Sequence, residues 1–128
     1  FEREDGLSGL EQTYGTFNFK SKNTFDNSLK YQAMENDEVD CVPAYTTDAQ
    51  LSSNEFILLE DDKHFWPPYN IIPVVRQKVI NAHPDVAEII NKISAAIDTE
   101  TMTKLNAQVD IDKEEYEDVA ADFYATIK

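Results

Sequence analysis

Three groups of side chains in this 128-residue chain are of types that could do chemistry. The first is Asp61-Asp62-Lys63-His64, where two carboxylates and an imidazole are donors of the kind that hold a divalent metal. With a further ligand from elsewhere they would suit a metal-dependent hydrolase; the plainer account is a charged turn at the surface. The second is His83 ahead of Pro84, which fits a residue flanking a helix start and has no evident chemical partner. The third is aromatic: Tyr45 stands in Pro43-Ala44-Tyr45-Thr46-Thr47-Asp48, and Phe65, Trp66 and Tyr69 gather around Pro67-Pro68. Such rings are often core, but at strand ends of open α/β sheets they offer π faces to a ligand. A quaternary ammonium cannot donate a hydrogen bond, so ring quadrupoles are the chief means of holding it, at about 0.5–2 kcal/mol per ring. There is no glycine-rich phosphate loop, serine elbow, CxxC pair or HExxH helix, so the motifs imply neither an enzyme nor a cofactor.

The elements that must position these residues are read from periodicity, because 3 Gly and 5 Pro leave little punctuation. Leu7, Leu10 and Tyr14 predict a helix over 7–14 closed by Gly15. Phe17 and Phe19 alternate with polar neighbours and predict a strand. A helix is expected from Asp26, with Leu29, Ala33 and Met34 as its apolar face and Asn36-Asp37 as its end. Strands are expected at 39–42, 56–59 and 71–76, with a polar loop over 46–54 and a stiff proline-bearing connection over 65–70 that could define a hinge. Beyond residue 76 the pattern turns helical. Pro84 opens a helix with Val86, Ile89, Ile90, Ile93 and Ile97 on one face. Thr99 caps a helix carrying Met102 and Leu105, and Tyr116, Val119, Ala120, Phe123 and Ile127 mark the last. The sum is an α/β fold.

Composition narrows the partners. Lys plus Arg number 11 against 25 Asp plus Glu, and a net charge of −14 repels phosphate backbones and anionic lipid, so nucleic acid is not a partner. The lone Cys41 has no intrachain partner for a disulfide and no neighbours in a zinc pattern. The longest apolar runs fall far short of the ~20 residues a membrane span needs. The chain opens Phe1-Glu2-Arg3-Glu4-Asp5 without a Met or a signal core, so its start is expected to be a cut.

Phe1-Glu2-Arg3-Glu4-Asp5-Gly6-Leu7, Tyr14-Gly15, Glu38-Val39-Asp40, Ala44-Tyr45-Thr46-Thr47-Asp48 and the block from Leu59 through Asp61-Asp62-Lys63-His64-Phe65-Trp66-Pro67-Pro68 to Tyr69 resemble one family. It is the substrate-binding component of osmoprotectant (glycine betaine/carnitine/choline) ABC importers. The resemblance runs on through Pro73-Val74-Val75-Arg76 and Met102-x-x-Leu105-Asn106 to the last helix, covering almost the whole chain but only about the C-terminal half of such a protein.

The resemblance implies part of a two-lobed, periplasmic-binding-protein-like (type II) clamshell. Residues 1–60 would complete lobe two, 61–128 would close lobe one, and the hinge crossing would fall near 59–70. Tyr45 and Tyr69 match two tyrosines of the family's aromatic cage, one from each lobe. Arg3 matches an arginine that some members set on the ligand carboxylate. Thr47 and Asp48 either contact ligand or simply turn the chain. Trp66 stands where the family usually has Phe.

The implied function is non-enzymatic capture of a small quaternary ammonium ligand for an ABC permease. The implied place is the extracellular face of the cytoplasmic membrane or the periplasm, with the protein lipid-anchored or fused to its permease. The remaining cage residues would come from the N-terminal half of the same binding protein. Alone, the fragment is expected to bind poorly, expose an apolar sheet edge, and form a homodimer or swapped assembly. The alternative is a truncated structural or interaction module without ligand binding.

Overall fold

A computed structural model describes residues 3–53 and 55–127. Six α-helices follow one another: α1 Leu7–Tyr14, α2 Lys30–Glu35, α3 Gln77–Ala82, α4 Asp85–Ala95, α5 Thr99–Asp110 and α6 Tyr116–Thr126, with a 3-10 turn at Ala49–Ser52. α1 has the predicted bounds. Its end is set by Gly15, whose φ of +96° suits glycine and whose N–H donates to the Glu11 carbonyl at 2.9 Å.

α2 starts later than Asp26. Asp26, Asn27 and Ser28 are residue types that favour turns over helix interiors, and the Asp26 carbonyl accepts from Leu29 N–H in a turn before the helix begins. Its inward face also differs from the expected one. Lys30, Tyr31 and Ala33 are buried whereas Leu29 is exposed, because the lysine stem packs inward with its Nζ 5.0 Å from the Tyr31 ring centre. Asn36 ends the helix, and Asp37 turns the chain at φ +58°.

In the C-terminal helices, Pro84 flanks α4, which carries Asp85 and Glu88 in its first turn and Lys92 in its last, each opposite in sign to its end of the helix dipole. Ile97 lies beyond that helix. The cap of α5 is Asp98 rather than Thr99: its carboxylate accepts from Thr101 N–H at 2.8 Å, which draws its pKa below the ordinary value. Val119 is the buried residue of α6.

The expected strands at 17–20, 39–42, 56–59 and 71–76 do not form; the described residues contain no strand. Helix propensity is satisfied within one segment, but a ladder requires a neighbour in register, and the described residues supply none. The apolar runs stay extended and open: Ile57, Leu59, Ile71 and Val74 are each more than 80% exposed (89%, 83%, 85% and 88%). At 17–20 the alternation survives without a sheet, since Phe17 and Phe19 stack at 5.4 Å.

The chain groups into two compact units interleaved along the sequence. Unit 1 is Phe1–Val42 with Leu58–Asn70, and unit 2 is Pro43–Ile57 with Ile71–Lys128. In unit 1 the segment 61–69 lies against α1 and the residues before it. In unit 2 the 3-10 turn and α6 pack on α5, and α3 packs on α4.

Candidate functional site

In unit 1 the Asp61-Asp62-Lys63-His64 run is a tight turn tied to the end of α1. The His64 N–H donates to the Asp61 carbonyl at 3.0 Å, with His64 at φ +52°. The Asp61 carboxylate is the hub: Tyr14 Oη donates to Oδ1, and the N–H groups of Phe65 and Trp66 donate to Oδ1 and Oδ2 at 3.0 Å each. The Tyr14 proton, foremost, and the two amides hold the Asp61 pKa below its usual value. Desolvation, then the same carboxylate, pushes the Tyr14 phenol up to about 12. Lys63 closes the arrangement. Its N–H donates to Tyr14 Oη at 2.9 Å, and its Nζ donates to the Thr13 carbonyl at 2.8 Å while lying 4.9 Å from the Tyr14 ring centre.

The metal expectation for Asp61, Asp62 and His64 gains no geometric support, because the Asp61 oxygens already accept three donors that fix the turn. Among the described residues no three His, Cys, Asp or Glu side chains gather as a metal would need. His83 ends α3, its N–H on the Val79 carbonyl at 2.8 Å.

That turn delivers Trp66 and Tyr69 to the segment ahead of α1. Trp66 Nε1 donates to the Asp5 carbonyl at 3.0 Å, and its ring meets Phe65 edge-on at 5.0 Å. Tyr69 Oη donates to Asp5 Oδ2 at 2.6 Å, while Arg3 donates to the same carboxylate twice, from Nε to Oδ1 at 2.7 Å and from Nη2 to Oδ2. The guanidinium first and the phenol second hold the Asp5 carboxyl well below the usual carboxylate range. Arg3 and Tyr69, 66 positions apart in sequence, thus meet on one carboxylate, with the Tyr69 residue 59% exposed.

Gly9 makes this approach possible. A Cβ there would lie inside van der Waals contact of the Glu4 carbonyl oxygen and 3.0 Å from Phe65 Cζ.

In unit 2, Tyr45, Thr47 and Asp48 share one turn. The Tyr45 N–H donates to Asp48 Oδ2 at 3.1 Å, and the Asp48 N–H donates back to the Tyr45 carbonyl at 2.9 Å. α5 holds this turn by a carbonyl: Asn106 Nδ2 donates to Thr47 O at 2.8 Å, while Thr103 Oγ1, whose shorter bond of 2.8 Å goes to the Thr99 carbonyl within α5, lies 3.2 Å from Thr46 O. Ala49, buried to 1%, fills the space between the following 3-10 turn and α5. The Tyr45 ring is left 60% exposed on a backbone fixed from both sides.

Asp5, Thr103 and Asn106 are the positioning residues that sequence reasoning did not single out. Asn106 carried a signal, since an Asn inside a helix costs propensity unless its amide has a task. Asp5 carried none, because its task depends on a tyrosine 64 positions away.

Known proteins are similar to this chain. A glycine-betaine-binding protein of Pseudomonas aeruginosa is 39% identical over 122 residues, covering 94% of this chain and 39% of that protein. The carnitine transport binding protein OpuCC of Listeria monocytogenes is 34% identical over 123 residues, covering 95% and 40%. The ergothioneine transport permease/ergothioneine binding protein EgtU of Helicobacter pylori is 37% identical over 123 residues, covering 96% of this chain and 22% of that protein. The chain therefore spans from about one fifth to two fifths of the length of these curated relatives. A crystal structure of a glycine betaine/carnitine/choline ABC transporter superposes with a TM-score of 0.84 at 31% identity, covering 98% of this chain and 46% of that one. Its fold, in helices and extended segments alike, is that of part of such a protein. Residues 1–126 match the family described as the substrate binding domain of ABC-type glycine betaine transport systems, and the chain belongs to that family.

Proposed function

We propose that this chain is the C-terminal part of a solute receptor that captures a quaternary ammonium osmoprotectant and hands it to an ABC permease. The observation that carries the proposal is a pair of half-exposed tyrosines, each fixed by an aspartate. Asp48 fixes the Tyr45 backbone, and Asp5 fixes the Tyr69 hydroxyl. The Tyr69 ring, held by its hydroxyl, loses little conformational entropy when a cation settles on its face, and the Tyr45 ring projects from a fixed backbone. Tyr69 and Tyr45 supply ring faces to one trimethylammonium head, and Arg3 meets the carboxylate of ligands that have one. Thr47 and Asp48 reach the ligand from the same turn as Tyr45.

The relatives' printed ligands, glycine betaine, carnitine and ergothioneine, all combine a trimethylammonium with a carboxylate, which supports this chemistry. On this reading the remaining lobe residues come from the N-terminal half of the same binding protein. Residues 1–60 belong to lobe two and 61–128 to lobe one of a type II clamshell, with the hinge near 59–70, and the receptor works outside the cytoplasmic membrane.

The test is Tyr69→Ala in the full-length protein, read by calorimetry with glycine betaine. A loss of affinity of about tenfold is expected from removal of one cage ring; unchanged affinity overturns the assignment.

A second reading, an interaction module without ligand binding, is favoured by the open apolar residues Ile57, Leu59, Ile71 and Val74. Sedimentation of the isolated chain separates the two readings: a self-associated species that binds no betaine supports the module, and a betaine-binding monomer excludes it.

A further inference from the structure

The Arg3 fork already holds a carboxylate. Nε and Nη2 each meet one oxygen of Asp5, the side-on bidentate geometry by which an arginine takes any carboxylate, and Tyr69 Oη adds a third donor to Oδ2. Arg3 and Asp5 cancel in charge, so this corner exerts no net pull on an incoming anion. A ligand carboxylate that takes this Nε–Nη2 edge must turn Asp5 away, exchanging one ion pair for another, and one that takes the Nη1–Nη2 edge shares the guanidinium with Asp5; either way two carboxylates stand near each other. A ligand with no carboxylate makes no such exchange.

Resting on the solute-receptor reading above, we propose that Asp5 is a specificity-determining residue, an internal occupant of the Arg3 fork that weakens carboxylate-bearing ligands relative to purely cationic ones. Its main-chain carbonyl anchors Trp66 independently of its side chain, so the amide variant retains that attachment of the segment to the 61–69 turn.

The experiment compares glycine betaine and choline on the full-length protein with Asp5, Asp5→Asn and Asp5→Glu. Asp5→Asn removes the competing charge and is expected to raise the betaine-to-choline affinity ratio by about two- to fivefold, the range an exposed ion pair supplies. Asp5→Glu, which keeps the carboxylate, should stay within about twofold of the parent. An unchanged ratio in Asp5→Asn, or one that moves toward choline, overturns the proposal; the latter result would make Asp5 a support for Arg3 instead.

A second arm needs no quaternary ammonium. Acetate is titrated while the Arg3 Nε–Hε resonance, assigned with Arg3→Lys, is followed by NMR. Asp5→Asn is expected to bind acetate about two- to fivefold more tightly than the parent, and equal binding overturns the proposal. If neither solute binds the parent, the proposed function falls while the acetate arm still decides the role of Asp5.

Discussion

The two tyrosine sites are built by different physics. Around Tyr69 the chain relies mainly on groups that meet across long sequence separations: the 61–69 segment bonds to Tyr14 at the end of α1 through Asp61 and to Asp5 ahead of α1 through Trp66 and Tyr69, with Arg3 on the same Asp5 carboxylate. Around Tyr45 the charged contribution is local, one β-turn whose Asp48 carboxylate accepts from the Tyr45 N–H, and the rest comes from a backbone carbonyl accepting from α5 and from the burial of Ala49. The first arrangement depends on ionisation and on close backbone approach. The second depends on a helix standing at the right distance. Two rings with nearly equal exposure therefore fail under different insults.

The largest expected effect tests the close approach. Gly9→Ala puts a methyl group into the Glu4 carbonyl and against Phe65, and backbone yields less readily than a side-chain tip. Overpacking of this kind costs about 2–3 kcal/mol, and the loss should be confined to unit 1. Hydrogen exchange should quicken over 7–14 and 63–66 while α5 keeps its protection. Equal loosening of both units would remove the distinction drawn here.

A smaller effect is expected in unit 2. Asn106→Ala removes the donor to the Thr47 carbonyl, worth about 1 kcal/mol for a half-buried amide bond. The amides of 46–50 should exchange faster, with unit 1 unaltered. Unchanged protection there would mean that Ala49 packing alone holds the turn.

What could be read in the sequence follows the same division. Local patterns were legible: α1 has its predicted bounds because Leu7, Leu10, Tyr14 and Gly15 encode face and stop together, and the α4 and α6 patterns gave helices in the right places. Asp98 won the cap from Thr99 by a single position. The strands were not recoverable, because an apolar run such as 56–59 records only a readiness to pair, while the partner is a property of the tertiary fold. Lys30 drew no notice in the sequence, yet it is buried, with its Nζ over the Tyr31 ring. Of the candidate site, the types and positions of Tyr45, Tyr69 and Arg3 drew notice from composition and resemblance. Asp5 did not, since nothing in Glu4-Asp5-Gly6 marks one carboxylate over the other until Trp66 and Tyr69 arrive against it.

The smallest expected effect is a displaced ionisation. The Tyr14 phenol is half-buried against the 61–65 turn and donates its proton to Asp61, so its pKa is raised from 10.0 to about 12. Below pH 10 both folded and unfolded chains keep that proton, and the contribution of the bond to stability is fully present. Between pH 10 and about 12 the unfolded chain releases it first, so stability falls as pH rises, and above about 12 the contribution is gone. Asp61 gives the opposite limb: its lowered pKa means stability present above 3.8 and lost as pH falls through the folded value. Absorbance at 295 nm, taken as the difference between the parent and Tyr14→Phe, isolates this one phenol from the other five tyrosines. A midpoint near 12 is expected, returning toward 10 when Asp61→Asn removes the carboxylate that holds the proton. A midpoint near 10 in the parent would mean that Tyr14 is neither desolvated nor donating to Asp61, leaving the 61–66 turn to the Phe65 and Trp66 amides while Arg3 and Asp5 alone present Tyr69.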